Sequence, residues 1–204
     1  KHFQGKIVGI DQCDAFVQAA SGYAAKEGVI DQIEFYVGDV HELEFEDESF
    51  DTVIAHTVIS HVTNPESVIK EITRVLKIGG TLAIFDGDYA SLTYGCPDHE
   101  LGRRMDSALA TTTFNNPLIM RDLIRILPAL GLEVTNTTTN VVSEIGHASY
   151  FKSFAETYVP MVKKGGLLPE EEVDAWFATQ LSAMNDGTFF AACNYYTYLA
   201  KRIK

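Results

Sequence analysis

The chain has 204 residues, within the usual range of one domain, and 46% of them are hydrophobic, so it can bury a substantial core. Its formal net charge of −12 argues against nucleic acid as a partner, because a grip on phosphates needs clustered lysine and arginine, and it favours a small-molecule partner. No segment approaches the ~20 consecutive apolar residues that a membrane-spanning helix needs, so we expect no membrane partner.

The three cysteines, Cys13, Cys96 and Cys193, are few and widely spaced. That spacing fits neither a disulfide framework nor a zinc motif, so we expect ordinary half-buried residues and no bound metal. Their small number indicates a reducing compartment, and we therefore expect a cytoplasmic protein.

Residues 5–11 form the first predicted strand, a short apolar segment that ends in Asp11. In open α/β sheets, ligands bind outside the carboxyl ends of the strands, and an acid there can accept hydrogen bonds from ribose hydroxyls. Asp11 is therefore a candidate ligand contact, with capping of the following helix as the alternative. Residues 1–5 are typical of a last helical turn that stops at glycine, which predicts a further strand and helix upstream.

Helices and strands then alternate along the chain. Apolar residues at helical spacing predict a helix over 15–24, and a β-rich segment over 33–37 predicts a strand that leads into Gly38 and Asp39. The acid-rich segment 41–49 is expected to be a solvated loop without chemistry.

The middle of the chain repeats this alternation. A strand is predicted over 50–55, Asn64 and Pro65 begin a helix, and a further strand follows over 81–86. This spacing is typical of right-handed βαβ crossovers, so we predict a doubly wound, Rossmann-like, mostly parallel sheet.

The last part of the chain differs in pattern. Strands are predicted over 132–142 and 188–200, the second of them antiparallel, with two helices between them. We therefore expect a single domain over 1–204 with a helical lid or dimer arm at about 143–186. A homodimer is one expected assembly.

The order and spacing of several short motifs resemble a class I S-adenosylmethionine-dependent methyltransferase. Within that family, the chain is most similar to the small-molecule group typified by ubiquinone and menaquinone biosynthesis. Each motif is weak alone, but together they extend over nearly the whole chain. They are Val8-Gly9-Ile10-Asp11, Gly38-Asp39-Val40, Phe50-Asp51, His56 to Val62, Asn64-Pro65, Arg74 to Gly80 and Tyr195 to Tyr198.

The resemblance implies that the cofactor is S-adenosylmethionine, with Asp11 on the ribose hydroxyls and Asp39 on the adenine amino group. Neighbouring residues are expected to complete the cofactor site: Gln12, Gly38, Val40, His56 and Thr57. The residue types are compatible with that role, because carboxylates and polar strand ends suit a nucleoside with several donors. The family's glycine-rich loop would lie upstream of residue 1, so we expect the 204-residue chain alone to bind the cofactor weakly.

Methyl transfer needs mainly alignment and, for an oxygen or nitrogen acceptor, a general base. His61 is the candidate base, and a structural histidine bonded to a backbone carbonyl is the alternative. Four aromatic residues are expected either to line a substrate pocket or to pack in the core: Tyr89, Tyr94, Phe151 and Phe154. Asp86 and Asp88 would suit Mg²⁺ only with a third ligand, which the sequence does not provide.

The expected function is methyl transfer from S-adenosylmethionine to an organic small molecule. A truncated methyltransferase fold that acts as a non-catalytic interaction module is the first alternative. A nicotinamide-dependent oxidoreductase is less favoured, because it needs the same glycine-rich loop and a hydride-transfer site that the sequence does not provide.

Overall fold

The computed structural model describes residues 5–204, which contain six strands and six α-helices. The strands are β1 (Ile7–Asp11), β2 (Ile33–Val37), β3 (Phe50–His56), β4 (Leu76–Tyr94), β5 (Leu132–Gly146) and β6 (Phe189–Arg202). The helices are α1 (Asp14–Lys26), α2 (Pro65–Val75), α3 (His99–Thr113), α4 (Ile119–Ala129), α5 (Tyr150–Gly165) and α6 (Glu170–Asp186). The helical turn predicted before Gly5 lies outside the described residues.

The strands form two groups. β3, β4, β6 and β5 make one sheet in that order, in which β3 and β4 are parallel and β6 is antiparallel to both of its neighbours. β1 and β2 pair in parallel as a separate two-stranded sheet. The predicted α/β architecture with mostly parallel strands and an antiparallel last strand is confirmed, although the described strands do not form one continuous sheet.

Local sequence signals fix the start of α2. The side chain of Asn64 accepts a hydrogen bond from the amide of Ser67 at 3.0 Å, and Pro65 occupies the first turn, where its missing N–H costs nothing. Val68 and Ile72, on one face of α2, are at most 5% exposed, so the helix is held by burial of that face.

Two strands are longer than predicted. β4 continues beyond Asp86 to Tyr94, across an irregularity in its pairing with β6 between Asp88 and Thr93. β5 continues to Gly146 and stays paired with β6 to its end. The helical insertion between these last strands therefore begins at Tyr150 rather than near residue 143.

Buried apolar side chains form two clusters. The sheet core packs α2 and α4 against β3 and β4, and it contains Leu82 and Leu123. The lid core packs α3, α5 and α6 against the later parts of β4 and β6, and it contains Phe151 and Trp176. No helix within residues 5–204 combines the length and the apolar character that crossing a bilayer would require.

Helix α1 is less buried than its sequence predicts. Only Ala24 is fully buried, whereas Phe16 and Tyr23, two of the apolar residues whose spacing predicts the helix, are each 66% exposed. The spacing correctly gives a helix, but the two-stranded sheet beside it covers little of its apolar face.

Candidate functional site

The ends of β1 and β2 bring two acids to one edge of the molecule. The strands pair in parallel with Asp11 beside Val37, and the amide of Gly38 donates to the backbone carbonyl of Asp11 at 3.1 Å. Asp39 follows Gly38 directly. Because the carboxyl ends of parallel neighbours meet at one edge, the two predicted cofactor contacts lie on a common rim.

Asp11 is half-buried at the entrance to α1. Its Oδ1 accepts a hydrogen bond from the amide of Cys13 at 2.8 Å, while the N-cap position itself belongs to Cys13. Among residues 5–204, no donor bonds Oδ2 of Asp11, so one carboxylate oxygen is available to a ligand. Gln12 is exposed beside it.

Asp39 is held by a residue that the sequence did not single out. Its Oδ1 accepts a hydrogen bond from the backbone amide of His41 at 2.8 Å and lies 2.7 Å from Nδ1 of the same histidine. The backbone bond, followed by the imidazole contact, lowers the pKa of Asp39 below its ordinary value. Asp39 is therefore ionised at neutral pH, and its carboxylate can accept further hydrogen bonds.

His41 also links two loops. Its Nε2 lies 3.4 Å from Oγ1 of Thr63, which connects the loop after β2 to the loop after β3. The prediction that segment 41–49 carries no chemistry overlooked this position. The position of His41 two residues after Asp39 was the available signal, because an aspartate side chain commonly accepts a hydrogen bond from the backbone amide two residues ahead.

Gly38 and Val40 complete this part of the rim. A Cβ on Gly38 would come within 3.1 Å of Ile10 Cγ2, so glycine permits the close approach of β2 to β1. Val40 is half-buried and faces the gap between β1 and β3.

The end of β3 carries a strained backbone. Thr57 has a φ of 50°, which β-branched residues rarely adopt. Its amide donates to the carbonyl of Phe85 on β4 at 2.7 Å, and its hydroxyl donates to the carbonyl of His56 at 2.8 Å. The His56 ring packs on Phe85 with centroids 4.8 Å apart. Strain that neighbouring bonds hold in place is common at ligand sites, which favours the predicted role of His56 and Thr57.

His61 lies in the loop between β3 and α2. Its ring packs against Phe114 with centroids 4.9 Å apart, and the side chain of Asn115 donates to its backbone carbonyl at 2.5 Å. Partial burial of the imidazole lowers the pKa of His61, and the nearby carboxylate of Asp86 raises it by a smaller amount. The imidazole is therefore neutral at pH 7. Within the described residues its ring bonds no backbone carbonyl, and its contact with Phe114 is a packing contact.

Asp86 and Asp88 are committed to protein donors. Asp86 is fully buried and accepts hydrogen bonds from the amide and hydroxyl of Ser60, each at 3.0 Å. Asp88 is 2% exposed, and its two carboxylate oxygens accept hydrogen bonds from Nε of Arg121 at 3.1 and 3.0 Å. The two acids therefore do not form the Mg²⁺ site considered above. No cluster of three metal-binding side chains occurs in the part of the chain that the structure describes.

The four aromatic residues expected around a substrate lie in the lid core and are at most 7% exposed: Tyr89, Tyr94, Phe151 and Phe154. The hydroxyl of Tyr94 donates to the carbonyl of Phe151 at 3.0 Å, and the ring of Tyr89 stacks on Phe114. Tyr89, Phe151 and Phe154 therefore pack in the core, whereas Tyr94 also lines a cavity beside α3 together with Thr93 and Asp106.

Two tyrosines tie α5 to the sheet. The hydroxyl of Tyr150, in the first turn of α5, lies 2.5 Å from that of Tyr195 on β6. Burial raises the pKa of Tyr195, so this pair is neutral and acts through hydrogen bonding. Glu144 also accepts hydrogen bonds from the amides of Tyr150 and Phe151. Tyr195 belonged to a predicted motif, but nothing in the sequence indicated its partner.

Two relatives in sequence are much longer than this chain. An uncharacterized 37.1 kDa protein in transposon TN4556 of Streptomyces fradiae is 29% identical over 199 residues, which are 97% of this chain and 55% of that protein. Sterol 24-C-methyltransferase of Aspergillus fumigatus is 36% identical over 86 residues, 42% of this chain and 23% of the enzyme. The chain therefore spans about half the length of the first relative and matches less than a quarter of the second.

Two solved structures share the fold. The YcgJ protein of Bacillus subtilis has a TM-score of 0.57 at 18% identity, over 97% of this chain and 82% of that protein. Geranyl diphosphate C-methyltransferase of Streptomyces coelicolor has a TM-score of 0.56 at 14% identity, over 98% of this chain and 63% of the enzyme. At these identities the likeness concerns the fold alone.

The sequence also matches a protein family described as a methyltransferase domain, over residues 1–131. That span includes both rim acids, the strained end of β3 and His61. Because the match covers well over half of the 204 residues, this chain belongs to the methyltransferase domain family.

Proposed function

We propose that the protein of which this chain is part transfers a methyl group from S-adenosylmethionine to a small organic molecule. The observation that carries the proposal is the shared rim of Asp11 and Asp39 within a chain of the methyltransferase domain family. The rim alone would also suit a nicotinamide nucleotide, and membership of the methyltransferase domain family supports S-adenosylmethionine instead.

The residues on the rim fit the chemistry of an adenosyl group. Oδ2 of Asp11 would accept from a ribose hydroxyl, and the ionised carboxylate of Asp39 would accept from the adenine amino group. The backbone of Val40 would bond a ring nitrogen, while His56 and Thr57 would border the aminoacyl end. When bound, S-adenosylmethionine supplies an electrophilic methyl group.

His61 would act as the base for an oxygen or nitrogen acceptor. The neutral imidazole that its lowered pKa ensures can accept a proton at neutral pH. If the methyl group is transferred to a carbon atom that loses no proton in that step, His61 is not needed as a base. Dependence of the rate on His61 therefore distinguishes these acceptor classes.

The lid core supports an apolar organic acceptor. An apolar molecule could contact the ring of Tyr89 if α5, which carries Phe154, moved away from the sheet. The sterol relative and the geranyl diphosphate enzyme act on molecules with a large apolar part, which in geranyl diphosphate is joined to a charged diphosphate.

Calorimetry on the intact protein tests the cofactor. S-adenosylhomocysteine should bind and NADH should not, and Asp11→Asn should weaken binding about 10- to 100-fold through loss of a charge-assisted hydrogen bond. Asp31→Asn is the matched control, because Asp31 is an exposed carboxylate away from the rim and its loss should leave the affinity unchanged. Binding of NADH alone, or equal affinity of wild type and Asp11→Asn, would contradict the proposal.

A rate measurement tests the base. With an oxygen or nitrogen acceptor, His61→Gln should lower the methyl-transfer rate about 10²- to 10⁴-fold and leave cofactor affinity intact. Cofactor binding without turnover on any acceptor would instead favour a non-catalytic module.

A further inference from the structure

A cavity of about 360 Å³ lies between the end of β4, the first half of α3 and the start of β6. Neither the rim acids nor His61 line it, so it is separate from the candidate cofactor site. Its volume is in the range of pockets that hold small organic molecules. The side chains that line it include an acid, two bases, a thiol, a hydroxyl and an aromatic ring: Asp106, Arg103, His99, Cys96, Thr93 and Phe190.

Asp106 is half-buried in the cavity wall and has no cation beside it. Its Oδ1 accepts a hydrogen bond from the amide of Tyr94 at 3.1 Å. Burial raises the pKa of Asp106 to about 6, by more than the amide of Tyr94 and the hydroxyl of Thr93 lower it. Among residues 5–204, no lysine, arginine or histidine pairs with this carboxylate. At neutral pH it is therefore ionised and partly buried without a counter-ion, which costs stability.

The nearest basic residue on the same helix face pairs elsewhere. Arg103 precedes Asp106 by three residues, so their Cβ atoms lie about 5–6 Å apart on α3. The guanidinium of Arg103 instead contacts Glu100 at 2.5 Å, and the two side chains are 74% and 63% exposed. An exposed ion pair of this kind contributes little to stability, so Arg103 can turn toward a ligand at small cost.

The other lining residues add an apolar surface and no further acid. The ring of Phe190 is 40% exposed, and His99 is exposed at the start of α3. Burial raises the pKa of the Cys96 thiol, so this group is uncharged at neutral pH. The cavity therefore combines one unpaired anion, basic groups and an aromatic ring.

We propose that this cavity binds a small zwitterion with an apolar side group, the chemistry of an apolar α-amino acid. Its ammonium group would pair with the carboxylate of Asp106, its carboxylate with Arg103, and its side group would contact Phe190. A simple amine would leave Arg103 unused, and a simple carboxylate would meet Asp106 without a counter-ion. The proposal rests on the cavity and stands independently of the methyl-transfer function.

Calorimetry on the intact protein at pH 8 tests the two charges separately. The probes are phenylalanine, phenethylamine, which lacks the carboxylate, and 3-phenylpropionate, which lacks the ammonium group. Phenylalanine should bind about 10-fold or more tightly than either analogue, because only it pairs with both Asp106 and Arg103. Equal affinity for phenylalanine and phenethylamine would overturn the proposal. So would the absence of saturable binding of both phenylalanine and leucine.

Two substitutions assign each charge to its partner. Asp106→Asn should weaken the binding of phenylalanine and of phenethylamine about 10- to 100-fold, whereas Arg103→Gln should weaken the binding of phenylalanine alone. Retained phenethylamine binding also shows that the Arg103→Gln variant is folded. Arg125→Gln is the matched control, because Arg125 forms a similar exposed ion pair with Asp122 on α4, away from the cavity. Unchanged phenylalanine affinity in either cavity variant would contradict the assignment.

The affinity should also depend on pH in a defined direction. As the pH falls from 8 to 5, Asp106 takes up a proton, and wild-type affinity for phenylalanine should fall about 10-fold. Cys96 stays uncharged over this range, and His99 can only gain positive charge, which would favour the carboxylate of the ligand. Loss of affinity therefore reports on Asp106 and should vanish in Asp106→Asn. Equal wild-type affinity at the two pH values would refute the pairing with Asp106.

Discussion

Replacing Asp106 with asparagine is expected to stabilise the protein strongly at pH 8 and only slightly at pH 4. Asp106 lines the cavity of about 360 Å³ beside α3, together with Cys96, His99 and Arg103. Its carboxylate accepts a hydrogen bond from the amide of Tyr94 at 3.1 Å. Burial nevertheless dominates and raises the pKa of Asp106 from 3.8 to about 6.

The direction of the pH dependence follows from proton uptake. Between pH 4 and pH 6 the folded state binds more protons at Asp106 than the unfolded state does, so wild-type stability falls as pH rises through this window. Above the folded pKa the loss is complete and amounts to about 3 kcal/mol, whereas at pH 4 it is about 0.5 kcal/mol. Asparagine has no charge to desolvate, and its side-chain oxygen can still accept from the amide of Tyr94.

Urea unfolding of wild type and Asp106→Asn at pH 4 and pH 8 measures this difference. Other titrating groups are common to both proteins and cancel in the comparison. Asp31→Asn serves as the control, because Asp31 is exposed and its substitution should have little effect at either pH. An equal free-energy difference at the two pH values, or an asparagine variant less stable than wild type at pH 8, would refute the reasoning.

Further substitutions test the glycine positions, a buried ion pair and a buried tryptophan. Gly80→Ala should lower the free energy of unfolding by about 1–3 kcal/mol, because the added Cβ would lie 2.8 and 3.0 Å from two backbone carbonyl oxygens. Gly22 lies in open space on α1, so Gly22→Ala should raise the free energy of unfolding by about 0.5–1 kcal/mol. Urea unfolding measures both changes. Arg121→Gln should cost ~3 kcal/mol by leaving the buried carboxylate of Asp88 without its cation, and adding Asp88→Asn should recover part of that loss in the same assay. Trp176→Ala should lower the free energy of unfolding by about 3–5 kcal/mol, because it leaves a large cavity. Trp176→Phe should lower the Tm far less, because it keeps most of the ring and removes an indole N–H that has no partner among the described residues.

The local signals in the sequence were sufficient for most of the fold. Asn64 and Pro65 started α2 because a cap and a proline act within one turn, whatever surrounds them. The two acids on the rim could also be predicted from the sequence, because Asp11 ends one short apolar strand and Asp39 lies two residues after another. Parallel pairing then brought Asp11 and Asp39 to the same edge.

The misses in the fold depended on distant partners. The strand predicted over 81–86 was too short, because pairing with β6, about 100 residues away, extends β4 to Tyr94 across the irregularity between Asp88 and Thr93. The faces of α1 were misjudged for a related reason. Periodicity shows which side of a helix is apolar but not whether anything covers that side, so Phe16 and Tyr23 remain exposed.

The candidate site is divided between the two strand groups. Asp11 and Asp39 lie at the ends of β1 and β2, whereas His56 and Thr57 lie at the end of β3, across the gap between β1 and β3. Binding of a cofactor that contacts both strand groups is weakened by the entropy lost when their separation becomes fixed. The 3.4 Å contact between His41 and Thr63 restrains that separation only weakly. Thr63→Val, which removes the hydroxyl partner of His41, should therefore weaken the binding of S-adenosylhomocysteine in calorimetry, even if residue 63 never contacts the ligand.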